Sequence, residues 1–152
     1  MKAVIVDDIE SVALQLKNLI EEFCADIEVV GVADNVDEAE VIINEQEPDV
    51  VFLDIQMPGK GGFDLLQSMG KVKFSVVFVT AFNEYAIQAV KFGAIDYLLK
   101  PVSIEELRAS IERVRDRQED KKIEIENLFK NIKNPWDESN TIIINSEKGN
   151  SL

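Results

Sequence analysis

Five polar residues of this sequence follow apolar runs, and together their types could carry out chemistry on a phosphoryl group. Asp7 and Asp8 follow the run 2–6, Asp54 ends VVFLD, Thr80 ends VVFVT and Lys100 follows the run 95–99. Three carboxylates at one place repel one another, so either their pKa values rise or a cation binds between them. Oxygen ligands suit Mg²⁺ or Mn²⁺. A carboxylate beside such a cation, faced by a hydroxyl and an ammonium, can attack phosphorus and form an acyl phosphate.

Asp54 is the expected nucleophile, because it stands alone while Asp7 and Asp8 form the metal-binding side. Lys100 and the metal would neutralise the phosphoryl oxygens, and Thr80 would hydrogen-bond one of them. A single Asp after a strand is more often a turn residue or a helix cap. The repetition of polar residues at successive strand ends favours a metal and phosphate site.

The first 120 residues alternate between strand and helix patterns. Apolar runs predict five strands, and helical spacing predicts five helices, the last beginning at Ser103 as its N-cap. The predicted strands are 2–6, 28–33, 50–54, 76–80 and 95–99, and the helices are 12–23, 36–47, 63–69, 84–92 and one from 103 onwards. The alternation predicts an α/β fold, a flavodoxin-like doubly wound parallel sheet of order 2-1-3-4-5 with helices on both faces. Ligands bind such sheets beyond the carboxyl ends of the strands, where the strand order reverses.

Composition narrows the classes of function. The net charge is −13, and the whole excess of negative charge falls in residues 1–120. Such a body repels nucleic acid and suits a hard cation or a basic partner, although acidity also serves solubility alone. The single Cys24 and the absence of histidine exclude an internal disulfide framework and disfavour zinc. No apolar run is long enough to span a membrane, and the N-terminal residues lack a signal peptide, so we expect a cytoplasmic protein.

Four segments resemble the receiver domain of two-component response regulators. They are VDD at 6–8, FLDIQMPGKGG at 52–62, VVFVTA at 76–81 and DYLLKP at 96–101, and the resemblance covers about residues 1–120. It implies that Asp54 accepts a phosphoryl group from a phosphohistidine on a sensor histidine kinase. The resemblance also implies a metal site whose ligands are Asp7, Asp8, Asp54 and the backbone carbonyl of Gln56. Thr80 and Tyr97 would be the switch residues. Lys100 would be the phosphate-binding lysine, and its bond to Pro101 would be cis.

Residues 82–101 are most similar to receivers that precede a LytTR-type DNA-binding domain. We therefore expect a receiver at 1–120, a helical linker at 121–140 with Trp136 as a possible anchor, and the start of a truncated LytTR-like domain at 141–152. The strand-like run 142–144 would be the first strand of that domain. Transcription and DNA binding then belong to a missing C-terminal domain.

The last helix carries an apolar repeat of seven residues that predicts a homodimer. One set is Ile104, Ile111, Gln118, Ile125 and Ile132, and its companion set is Leu107, Val114, Lys121 and Leu128. The first half must also cover the sheet, so Ile125, Leu128 and Ile132 are the better interface candidates. The alternative is a helix that ends near Arg117.

We expect a switch that catalyses only its own phosphorylation and dephosphorylation. Two other functions remain open. A phosphatase-like hydrolase could use Asp54 as nucleophile, but it needs a general acid two residues later, where Gln56 stands. A pure interaction module would not need the acids, Thr80 and Lys100. Phe82, Tyr85 and Phe92 are either an interaction face or, as helical aromatics more often are, part of the core.

Overall fold

The computed structural model describes residues 1–133, in which five strands and five helices alternate. All strands are parallel, and their order is β2-β1-β3-β4-β5, as predicted. The strands are β1 Lys2–Val6, β2 Glu28–Ala33, β3 Val50–Leu53, β4 Ser75–Thr80 and β5 Asp96–Leu99. The helices are α1 Glu10–Phe23, α2 Val36–Gln46, α3 Gly62–Met69, α4 Ala86–Lys91 and α5 Ile104–Lys133.

Apolar side chains of successive strand residues face opposite sides of the sheet and build two cores. Val4 and Val6 of β1 belong to the core formed with α2, α3 and α4. Ala3 and Ile5 belong to the core formed with α1 and α5. Strands β3 and β4 are buried along their whole length, because helices cover both of their faces. That double burial explains why both strands are apolar at nearly every position.

Two of the helices begin after a residue whose side chain caps the first turn. The side chain of Asn35 accepts a hydrogen bond from the Glu38 N–H at 2.8 Å. The Ser103 hydroxyl accepts one from the Glu106 N–H at 3.2 Å, which confirms the predicted start of α5. Cys24 is buried.

Several predicted boundaries differ from the structure by one or two residues, and the differences at β3 and α4 bear on the site. Strand β3 ends at Leu53, so Asp54 is the first residue of the following loop. Helix α4 covers Ala86–Lys91 rather than 84–92. It starts late because residues 82–85 form turns after β4, and it stops early because Gly93 takes a φ of +77°. A left-handed backbone at glycine ends a helix at little cost.

Helix α5 is continuous from Ile104 to Lys133, so the alternative of a helix ending near Arg117 is wrong. Its first half covers the sheet, as predicted: Leu107, Ile111 and Val114 are buried in the core, and Ile104 is half-buried. Two compact units meet within the chain: Met1–Val114 holds the sheet, and the second begins at Arg115. The predictions for Trp136 and residues 141–152 fall outside the described residues. Within residues 1–133, no helix has the length and apolar character needed to cross a membrane.

Candidate functional site

Three polar residues at the carboxyl edge of the sheet are placed by hydrogen bonds that extend the sheet. The backbone N–H groups of Asp7, Asp54 and Lys100 donate to the carbonyl oxygens of the last residues of neighbouring strands, at 3.0, 3.0 and 2.8 Å. Each of the three residues therefore lies one position beyond its own strand and in register with its neighbours. Thr80, the last residue of β4, is fully buried at the same edge.

The carboxylates of Asp7, Asp8 and Asp54 come together, as the sequence predicts. One oxygen from each lies within 4.8 Å of the others. Asp7 and Asp54 are buried, and Asp8 is half-buried. The N–H of Ile9 donates to Asp7 Oδ1 at 2.9 Å, and the N–H of Ile55 donates to Asp54 Oδ1 at 2.7 Å. These bonds orient both buried carboxylates toward the cluster.

Lys100 joins two of the three acids. Its Nζ lies 2.6 Å from Asp7 Oδ2 and 2.9 Å from Asp54 Oδ2. Burial opposes the charged ammonium, but the hydrogen bonds and charges of the two aspartates together outweigh burial and raise the pKa of Lys100 above its usual value. Lys100 therefore stays a cation.

The pKa of Asp54 is raised, and burial is the largest cause. The hydrogen bond and charge of Lys100 and the N–H of Ile55 act in the opposite direction, while the charge of Asp7 adds to the rise. One ammonium beside three acidic side chains, of which it contacts two, does not balance their charge. A divalent cation is the natural complement to such a cluster, and three converging carboxylate oxygens fit Mg²⁺ or Mn²⁺.

The loop after Asp54 folds back under the site through two glycines. The Gly62 N–H donates to the Ile55 carbonyl at 2.9 Å. A Cβ at Gly62 would collide with the Asp54 carbonyl oxygen, and a Cβ at Gly61 would collide with that of Ile55. The sequence indicates a loop here but not this close approach, which depends on how α3 packs.

Thr80 and Tyr97 both bond to the backbone of one residue, Phe82, in the loop after β4. The Thr80 hydroxyl accepts a hydrogen bond from the Phe82 N–H at 3.4 Å, and the Tyr97 hydroxyl donates to the Phe82 carbonyl. The Tyr97 ring is half-buried against Phe78, with 6.4 Å between ring centroids. Burial raises the pKa of Tyr97, which keeps its hydroxyl protonated as a donor.

The aromatic residues near the site are more exposed than expected of a core. Phe82 and Phe92 have relative exposures of 41% and 37%, so the expectation that they are core residues is wrong for these two. Tyr85 is half-buried and packs against the core. Phe92 stacks on Phe63 at 5.0 Å, and Tyr85 contacts Phe63 edge-on.

Gln56 makes a contact that the sequence does not predict. Its side-chain Nε2 donates to the hydroxyl of Tyr85. Its side chain therefore points to the start of α4. The bond between Lys100 and Pro101, at the other side of the site, is cis.

Comparisons with known proteins agree with this geometry. The family described as "Response regulator receiver domain" matches residues 3–112. An uncharacterised response regulatory protein of Vibrio cholerae is 44% identical over 115 residues, which are 75% of this chain and 48% of that protein. Transcriptional regulatory protein BtsR of Salmonella typhi is 39% identical over 119 residues, 78% of this chain and 49% of that protein.

Sensory transduction protein LytT of Bacillus anthracis is 34% identical over 132 residues, 86% of this chain and 53% of that protein. The chain thus spans about half the length of the curated relatives it matches. Among solved structures, the response regulatory domain of protein mrkE from Klebsiella pneumoniae superposes with a TM-score of 0.70 at 30% identity. That alignment covers 79% of this chain and 99% of the other.

Proposed function

The chain belongs to the family of response regulator receiver domains, and on that premise we propose that Asp54 accepts a phosphoryl group from a phosphohistidine of a sensor histidine kinase. The observation that carries the proposal is the position of the Asp54 carboxylate, buried between two further acids and 2.9 Å from the Lys100 ammonium. The family consists of switches rather than enzymes with a separate substrate. Accordingly, the chain would catalyse only its own phosphorylation and dephosphorylation.

In the transfer step, a carboxylate oxygen of Asp54 attacks the phosphorus atom. A bond forms between that oxygen and phosphorus, the bond between phosphorus and the histidine nitrogen breaks, and the electron pair leaves with the imidazole. The Lys100 ammonium, now shared by Asp7 and Asp54, is close enough to compensate the charge that the phosphoryl oxygens bring. Thr80 supplies a hydroxyl at the same edge for one of those oxygens.

Asp7, Asp8, Asp54 and the backbone carbonyl of Gln56 would hold Mg²⁺ or Mn²⁺. Such an ion supplies positive charge for the phosphoryl oxygens during transfer. The chain's own contribution is to keep the carboxylates together, which the N–H groups of Ile9 and Ile55 support from behind.

The switch would run from Thr80 through Phe82 to Tyr97. A phosphoryl group adds about −1.5 to −2 charges and strong acceptor oxygens, which attract the Thr80 hydroxyl. Because the N–H of Phe82 bonds to Thr80 and its carbonyl bonds to Tyr97, a shift of Thr80 would move the backbone that holds the Tyr97 hydroxyl. The surface around α4 and β5 would then differ between the two states.

The output we propose is control of transcription by a longer cytoplasmic protein that acts as a homodimer. The relatives include a protein named as a transcriptional regulator and one named LytT. A net charge of −13 makes the present residues poor ligands of DNA, so a C-terminal LytTR-like domain would bind it. Helix α5 would join the subunits, since it exposes Ile125 and Leu128 at 55% and 58%.

Intact-mass analysis tests the proposed chemistry. Incubation with acetyl phosphate and Mg²⁺ should add one phosphoryl group to the parent chain and to Asp116→Asn, which alters an exposed acid on α5. Asp54→Asn should add none. Equal labelling of Asp54→Asn and the parent would reject Asp54 as the acceptor. Continuous release of phosphate from a simple phosphate ester would instead favour the hydrolase.

A further inference from the structure

Gln56 connects two loops of the protein. Its backbone lies two residues after Asp54, in the loop between β3 and α3, and its side-chain Nε2 donates to the hydroxyl of Tyr85, 29 residues away. Tyr85 lies in the loop between β4 and α4. The Gln56 side chain is exposed to solvent. An exposed amide without a protein partner exchanges among rotamers, so the Tyr85 hydroxyl gives Gln56 a preferred direction.

Tyr85 is also the residue at which α4 begins. It is the N-cap of the helix, and its carbonyl accepts the Ala89 N–H at 2.9 Å. Its ring contacts the rings of Phe63 and Phe82 edge-on, at centroid distances of 6.3 and 6.4 Å. Such contacts restrict the ring. A displacement of Gln56 therefore acts on a residue that cannot move independently of the first turn of α4.

We propose that Tyr85 is a positioning residue whose hydroxyl orients Gln56 beside the acidic cluster and carries the occupancy of that cluster to the start of α4. This rests on the proposed function, because it takes the Gln56 carbonyl as a metal ligand. The connection differs from the one through Thr80, Phe82 and Tyr97, since it begins in the loop after β3 instead of at the end of β4.

Linkage makes the effect reciprocal. If metal binding strengthens the hydrogen bond between Gln56 and Tyr85, that bond strengthens metal binding by the same factor. Tyr85→Phe removes the hydroxyl and keeps the ring. It should weaken the affinity for Mg²⁺ about two- to fivefold, the scale of one neutral hydrogen bond.

The test is an NMR titration of the whole chain with Mg²⁺ alone. Amides of the loop after Asp54 report affinity, and amides of Ala86–Lys91 report the response of α4. In Tyr85→Phe, the chemical-shift changes that Mg²⁺ causes in the α4 amides should fall below about half of those in the parent. The control is Ser68→Ala, which removes an exposed hydroxyl that bonds to Glu40 and lies outside both the site and the switch, and which should keep the Mg²⁺ response of α4.

Parent-like affinity and α4 shifts in Tyr85→Phe would overturn the role of Tyr85 and leave the metal site intact. Absence of any Mg²⁺ response in the parent near Asp7, Asp8 and Asp54 would overturn both this inference and the proposed metal site. Intact-mass labelling of Tyr85→Phe by acetyl phosphate separately reports whether Asp54 still accepts the phosphoryl group.

A double-mutant cycle separates positioning from a general structural effect. In a Gln56→Ala chain, adding Tyr85→Phe should change the affinity for Mg²⁺ by less than about 1.5-fold, because the partner of the hydroxyl is gone. If Tyr85→Phe lowers the affinity by the same factor in both backgrounds, the hydroxyl does not act through Gln56, and the proposal fails.

Discussion

Asp54 lies where a negative charge is unfavourable, and its neighbours act on it in opposite directions. Burial and the charge of Asp7 disfavour the carboxylate, while Lys100 and the Ile55 N–H favour it. The balance raises the pKa of Asp54. A carboxylate in this state gains from a cation at its side and from conversion to an acyl phosphate that Lys100 can contact. The environment that disfavours the free Asp54 carboxylate therefore favours the proposed binding of a cation and acceptance of a phosphoryl group.

The raised pKa predicts that Asp54→Asn stabilises the metal-free protein at pH 7. The folded protein binds the Asp54 proton more tightly than the unfolded chain, in which an Asp has a pKa of about 3.9. The stability from this group is complete below the unfolded pKa and is lost as pH rises through the raised folded pKa. Because Asn does not ionise, Asp54→Asn escapes that loss.

Urea unfolding in the presence of a chelator measures this difference. At pH 7 the midpoint should be higher for Asp54→Asn than for the parent, and the gap should narrow as pH is lowered through the folded pKa of Asp54. The exposed-acid variant Asp116→Asn should track the parent. A parent that is more stable than Asp54→Asn at pH 7 would show that Lys100 outweighs burial.

At the scale of elements, the loop between β3 and α3 shapes the site through backbone contact. Gly62 allows the chain to pass against the Asp54 carbonyl, where no side chain fits. The same loop carries Gln56 and begins α3. A change in its path therefore alters the acceptor and its neighbours without touching their side chains.

Gly62→Ala should lower the free energy of unfolding by about 1–3 kcal/mol, the usual range for overpacking, and should slow phosphoryl acceptance. The matched variant is Gly70→Ala, where φ is +69° but no atom lies within 4 Å of an added Cβ. It should cost about 1–3 kcal/mol of backbone strain, because Gly70 combines its positive φ with a ψ of −128°, and it should leave the acceptance rate unchanged. Urea unfolding and the rate of acetyl phosphate labelling give both quantities. Equal labelling rates for the two variants would contradict the role assigned to Gly62.

Strands and helices could be predicted where the pattern that defines them lies within the segment itself. The runs in β3 and β4 are apolar because both faces are buried, and this signal survives without any tertiary information. The packing around α4 was not predictable, because Tyr85 and Phe92, the residues that flank this helix, contact Phe63 of α3. The contact of Gln56 with Tyr85 is likewise tertiary. The strand ends located Asp7, Asp54 and Lys100, since in a parallel sheet they share one edge.

At the scale of the whole molecule, α5 presents apolar residues that its own chain leaves exposed. Ile125 and Leu128 are 55% and 58% exposed, and they continue the spacing of three and four residues that predicts a helical interface. Ile123, 47% exposed, stands off that stripe. The helix therefore offers an interface residue and a matched control of the same chemistry.

Leu128→Asp should lower the dimer fraction in sedimentation analysis of the phosphorylated and unphosphorylated chain. Ile123→Asp places the same charge on another side of α5 and should leave the fraction near that of the parent. An acid at an apolar helical interface costs desolvation as well as packing. A parent that sediments as a monomer in every condition would rule out this interface.

Reductive trapping shows whether Asp54 itself carries the phosphoryl group. Borohydride converts an acyl phosphate of Asp to homoserine, which peptide mass spectrometry locates by residue. After transfer from a phosphohistidine donor in the presence of Mg²⁺, homoserine should stand at position 54. Homoserine at Asp7 or Asp8, with an unchanged Asp54, would contradict the account.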